Sequence, residues 1–173
     1  MQFVIREPER HLNGVTFIYD AHKRMQYLLV GNRGLRHNKI SLYASSGELL
    51  GEIQQMSLGF SPRYDLWIDQ QKVASLKKLF GMWREFTFVS GYNWLIVGDL
   101  VHNQYRILHH TSTLMTAQSI LLPTGNGMAL EITHDSDIVP CLLISAVLNH
   151  WARTKQKDRR PIWGSPVGMP MIP

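Results

Sequence analysis

Between Asp137 and Ala152 the chain carries an almost unbroken apolar segment, Ile138-Val139-Pro140-Cys141-Leu142-Leu143-Ile144-Ser145-Ala146-Val147-Leu148 followed by Trp151. Asp135, Ser136 and Asp137 in front of it are good N-cap residues, and Pro140 suits a first helical turn. Only Ser145 and Asn149, four apart on one stripe, interrupt the segment before His150. A helix that is apolar on every side has to be buried. Its continuous run, Ile138 to Leu148, falls well short of the ~20 residues a helix needs to cross a bilayer, which argues against a transmembrane anchor. The rest of the chain must therefore supply the cover.

That cover reads as β-structure. Val15, Phe17 and Tyr19 alternate with other residues, as do Met25, Tyr27 and Leu29, and Tyr64, Leu66 and Ile68. Phe86 and Phe88 alternate with Glu85 and Thr87, and Met128, Leu130 and Ile132 with Ala129, Glu131 and Thr133. A period of two places one set of side chains on one face of a strand. Asn13-Gly14, Ser45-Ser46-Gly47, Asp69-Gln70-Gln71 and Asn126-Gly127 read as hairpin turns, and Pro62 and Pro123 as strand boundaries. The pattern predicts about twelve strands, near 2–6, 15–20, 25–30, 38–43, 48–56, 63–68, 72–79, 83–89, 92–98, 104–109, 113–121 and 127–133. No helical crossover separates them, so the sheet is expected to be antiparallel. So many strands need closure or a sandwich to avoid exposed edges. The expected fold is mainly β: a closed antiparallel barrel around a central C-terminal hydrophobic helix. The alternative is a sandwich with the helix across one open end and the Ser145–Asn149 stripe facing water.

The 173 residues divide into a domain over 1–152, with its helix at about 137–152, and a tail over 153–173. The tail holds Arg153, Lys155, Lys157, Arg159 and Arg160 against Asp158, then Pro161, Gly164, Pro166, Gly168, Pro170 and Pro173. It therefore carries most of the net charge of +5, and its composition predicts no regular structure. A nearly neutral body argues against a large nucleic-acid-binding face. Cys141 is the sole cysteine, so no intrachain disulfide forms, and it reads as a small buried hydrophobe. Met1 to Arg10 has no apolar run of the secretory kind. The expected setting is cytoplasmic, with peripheral membrane contact.

Tyr64-Asp65-Leu66-Trp67-Ile68-Asp69 through Lys77-Lys78-Leu79-Phe80, then Phe86-Thr87-Phe88, Gly98-Asp99 and Tyr105-Arg106-Ile107, resemble the LURP-one-related family. That family belongs to the Tubby C-terminal-like superfamily, which includes the phospholipid scramblases. The resemblance covers roughly residues 1–152 and is a pattern of hairpins rather than one signature. It implies a twelve-stranded barrel around a hydrophobic helix, and a phospholipid-related role. Tubby domains bind phosphoinositides through basic residues on the barrel surface. The tail has no counterpart in that pattern.

No enzyme signature stands out. Gly125-Asn126-Gly127 reads as a hairpin turn rather than a phosphate cradle. Glu48 and Glu52 lack a proton-transfer partner. Adjacent His109 and His110 are expected on opposite faces of a strand end, and His102 with Asp99 has no metal-ligand spacing. The chain is read as a non-enzymatic domain with no cofactor, no metal and no specific nucleic-acid partner.

Lys77, Lys78 and Arg84, on a hairpin whose loop carries Phe80, Met82 and Trp83, are the candidate residues for anionic phospholipid or a membrane surface. Charge draws anionic lipid and Trp83 suits the interface. Arg153, Lys155, Lys157, Arg159 and Arg160 form a second basic candidate. The competing reading is a protein-interaction or structural module. A small apolar ligand inside the barrel is not expected, because the helix fills that space.

Overall fold

In the computed structural model the described residues are 1–6, 14–32, 39–57, 62–80, 85–123 and 125–158. For residues 32, 78–80, 85, 86 and 153–158 the description is of the backbone. The strands are β1 (Gln2–Arg6), β2 (Val15–Asp20), β3 (Met25–Asn32), β4 (Lys39–Ala44), β5 (Leu49–Gln55) and β6 (Arg63–Ile68). They continue as β7 (Gln71–Phe80), β8 (Glu85–Ser90), β9 (Trp94–Asp99), β10 (Gln104–His109), β11 (Ser112–Leu122) and β12 (Gly125–Ile132). A 3-10 turn (Asp135–Asp137) leads into α1 (Ile138–Asp158), the one α-helix among the described residues.

Each strand pairs antiparallel with its neighbours in sequence, and β1 pairs with β12, from Gln2 opposite Glu131 to Arg6 opposite Gly127, so the barrel is closed. This is the expected architecture. Alternation decides which side chains enter the lumen. Ile18, Leu42, Ile53, Leu66, Leu76, Ile96, Ile107 and Met115 point inward and are essentially inaccessible. They surround Cys141, Leu142, Leu143, Ile144, Val147 and Leu148 of α1. Each such side chain contributes about 1.5–3 kcal/mol of burial.

Gly51 brings the helix close to β5, since a Cβ there would lie 3.2 Å from both Leu143 Cδ1 and Val139 Cγ1. Ser145 is fully buried, with its hydroxyl 3.5 Å from Met115 Sδ, and Asn149 accepts from Asn103 Nδ2 at 3.4 Å. The sandwich with a wet Ser145–Asn149 stripe is thereby excluded. Burial pushes the Cys141 thiol up, and the Asp137 carboxylate adds to this.

Three local expectations are corrected. First, α1 continues to Asp158, six residues into the stretch read as an irregular tail. Arg153, Lys155, Gln156 and Lys157 are good helix formers, and propagating an existing helix is easy where nucleating one is not. Second, Asn126-Gly127 lies inside β12, opposite Leu121 and Ile120. The chain turns before it, at Pro123, and Gly125 carries the positive φ of 123°. Gly127 is small for another reason: a Cβ would approach Leu122 Cδ1 to 2.7 Å. Third, the His109 and His110 rings touch, with centroids 4.3 Å apart. His110 has φ 54°, so alternation fails at that position.

Candidate functional site

An up-and-down barrel gathers alternate strand ends at each of two mouths. One mouth collects the turns after β2, β4, β6, β8 and β10 and the start of α1. There lie Asp20, Glu48, Asp69, Glu131, Asp135 and Asp137, with Lys23, Arg24 and Lys72. Asp20 organises its turn. Its carboxylate accepts from the His22 and Arg24 backbone N–H groups at 2.8 and 2.9 Å, from Arg24 Nε at 3.0 Å and from Gln26 Nε2 at 3.0 Å. Desolvation opposes its ionisation, but these donors and the Arg24 charge hold its pKa at about 2.

The opposite mouth is basic. Arg6 ends β1, Lys39 starts β4, Arg63 starts β6, and Lys77 and Lys78 lie near the end of β7. Trp151 of α1 packs edge-on against Tyr64 at 5.5 Å, and its indole N–H donates to the Tyr64 hydroxyl at 3.3 Å. Tyr64 is the second residue of β6, so α1 reaches this mouth at Trp151. At 1.5 Å per residue its backbone then runs about 9 Å further, through Arg153, Lys155 and Lys157. The described acidic positions here are Glu85, Asp99 and Asp158, with Glu52 and Asp65 just inside, paired with Lys39 and Arg63. Asp99 is engaged: its side chain caps the Val101 and His102 N–H groups and meets His102 Nδ1 at 2.6 Å, which holds its carboxyl below the usual range. The macrodipole of α1 fits both mouths, with acids at its N-terminus and bases at its C-terminus.

On the outer wall beside this mouth, Asp65 is buried under its own partners. Ser75 Oγ donates at 2.7 Å, Lys72 Nζ lies at 2.7 Å and Arg63 Nε at 3.3 Å. Desolvation opposes its charge, but Lys72, Ser75 and Arg63 outweigh it and lower the pKa. The cluster fixes Arg63 opposite Lys77 in the ladder. The same cross-strand row continues from Lys77 to Phe88, Leu95 and Leu108. Two cations are thus continuous with three apolar side chains, of which Leu95 is 37% exposed.

The sequence-derived candidates divide accordingly. Lys77 is exposed on the outer wall of the basic mouth. Lys78 is the next strand position, opposite Thr87 in the ladder. Arg153, Lys155 and Lys157 are helical and come to the same mouth. Trp83, Arg84, Arg159 and Arg160 lie outside the described residues. Arg6, Lys39 and Arg63 escape a search for local clusters. The usable signal is that each sits at an alternate strand end, which a meander brings together. The two acids Glu48 and Glu52 separate: Glu52 accepts from Ser41 Oγ at 2.8 Å and pairs with Lys39 at 2.6 Å. Asp99 and His102 lie at the opposite end of the β9–β10 hairpin from His109. Among the described residues no three His, Cys, Asp or Glu are placed to share a metal ion. No described helix is long and apolar enough to cross a membrane.

Comparison with known proteins adds fold and little else. No family model matches the chain. It is 26% identical over 132 residues to the uncharacterized protein YxjI of Bacillus subtilis, covering 76% of this chain and 82% of that one. A solved X-ray structure of an Arabidopsis thaliana protein superposes with a TM-score of 0.55 at 12% identity, covering 86% of this chain and 90% of that one. The likeness shows a shared barrel fold, consistent with the resemblance noted from the hairpins.

Proposed function

We propose that the chain is a non-enzymatic, LURP-one-related member of the Tubby-like superfamily, cytoplasmic, whose basic mouth docks on anionic phospholipid at a membrane surface. One observation carries this reading: Arg6, Lys39, Arg63, Lys77 and the helical Arg153, Lys155 and Lys157 converge on one mouth from separate parts of the sequence. Lys39 and Arg63 are offset by Glu52 and Asp65; each remaining basic residue near an anionic bilayer contributes about 1 kcal/mol, so several together give measurable but salt-sensitive attachment. From Lys77 the row Phe88, Leu95 and Leu108 leads down the outer wall toward the acidic mouth, away from a docked bilayer. That row suits a protein partner, which is the second reading.

Sedimentation with vesicles separates them. The protein is expected to pellet with phosphatidylglycerol-containing vesicles at low salt and to stay in solution with phosphatidylcholine vesicles. Equal behaviour with both compositions would sink the lipid reading.

A further inference from the structure

A groove of about 730 Å³ opens on the outer wall of β9, β10 and β11, in the half nearer the basic mouth. Arg106, Gln104, Thr116 and Gln118 line it. Arg106 is exposed, faces Thr116 across the ladder, and is paired with no described carboxylate. The groove thus offers one guanidinium fork with amide and hydroxyl donors around it, which suits a phosphate oxygen pair.

The strand that forms its far wall changes character along its length. Thr116, Gln118, Ile120 and Leu122 share one face of β11 by the two-residue period. Beyond Ala117, which pairs with Tyr105, β11 pairs with β12 alone among the described residues. Ile120 and Leu122 therefore stand on a projecting hairpin, about 7 and 14 Å along the strand from Gln118. Polar donors followed by apolar side chains in one line match a phosphodiester followed by acyl chain.

We infer that this groove is a binding site for one glycerophospholipid, with its phosphodiester on Arg106, Thr116 and Gln118 and its acyl chain along Ile120 and Leu122. Two carboxylates border the groove and set the charge it accepts. Glu131 is exposed opposite Thr116, and Asp99 lies opposite Gln104. A single cation between them takes a phosphodiester in preference to a headgroup bearing further phosphates. The site deepens the lipid reading above and rests on it for the choice of a lipid over other phosphate esters.

The test uses the full chain and monomeric dihexanoyl-phosphatidylglycerol, with glycerol 3-phosphate as the water-soluble control, followed by NMR. The lipid is expected to shift the Gln104 and Gln118 side-chain amides and the Ile120 and Leu122 methyls together. R106Q should weaken it about tenfold, as expected for one charge-assisted hydrogen bond. I120S should weaken the lipid about fivefold and leave glycerol 3-phosphate unchanged. Absence of shifts, or an R106Q protein that binds as well as wild type, overturns the site. So does glycerol 3-phosphate binding as tightly as the lipid with I120S silent, which would mark a site for soluble phosphate esters. Vesicle sedimentation of the wild-type chain keeps the two proposals apart: attachment to anionic vesicles without shifts from the short-chain lipid overturns the groove alone, and loss of both overturns the lipid reading as well.

Discussion

The two mouths of this barrel share one wall and one helix, yet their chemistry is opposite. At the acidic mouth no connection between strands is longer than those from Asp20 to Met25 and from Ala44 to Leu49. Its turns use left-handed residues, among them Lys23, Asp69, Gln70, Asn93 and His110. Asp20 spends its carboxylate on local donors, which leaves little charge for a partner. At the basic mouth the connection from Arg6 to Val15 is longer, the helix runs past the rim, and Lys77 is exposed. One end is built as a frame; at the other Lys39 and Arg63 are spent on Glu52 and Asp65 while Lys77 stays exposed. The difference teaches that net charge says little here, because the +5 of the chain is a small sum over two poles.

The largest expected effect falls on what both mouths share. Leu142 is fully buried in the lumen. Leu142→Ala should remove about 3–5 kcal/mol, read by urea denaturation. A loss under about 1 kcal/mol would mean that the helix is not the common core. Next comes the contrast itself. The triple variant R153E/K155E/K157E should weaken attachment to anionic vesicles about 100-fold or more, from the loss of about 1 kcal/mol per residue. Reversing Asp135 and Asp137 at the other mouth to lysine should produce no comparable loss. Equal losses from both ends would erase the functional distinction.

Lys77→Glu tests one side chain of the outer row, with an expected weakening of about tenfold on the same vesicles and little change in melting temperature. The smallest effect sharpens the acidic mouth. The Asp20 pKa is depressed, so its contribution is present above the unfolded carboxyl pKa of about 3.9 and is lost as pH falls toward about 2. D20N should flatten the stability profile within that window and leave vesicle binding unchanged. An unaltered acid limb would show that Asp20 does not lock its turn.

Much of the fold was legible in the sequence. Period-two segments located the strands, and 2–6, 15–20, 63–68 and 104–109 match the observed limits. Burial on all sides placed the helix. Turn chemistry was less reliable where two signals overlapped: Gly125-Asn126-Gly127 offers three turn-compatible residues, and pairing of Asn126 and Gly127 with β11, and of Gly127 with β1, draws them into the strand. The helix end was misplaced because Arg and Lys were read as charge, although they also have high helix propensity. Of the candidate site, Lys77 and the basic stretch after Trp151 were visible as local runs. Arg6, Lys39 and Arg63 were not, since they are separated in sequence and meet only through the meander.

The sequence by itself determined what had to be covered and what covered it, since alternation and uniform hydrophobicity are local properties set by backbone geometry and water. Only the tertiary structure decided that acids and bases part to opposite ends. It also decided that Asp65 is hidden under Arg63 and Lys72, and that Arg106 stands beside a projecting apolar hairpin. These are relations between strands, fixed by register and closure, and charge acts through distances in space rather than along the chain.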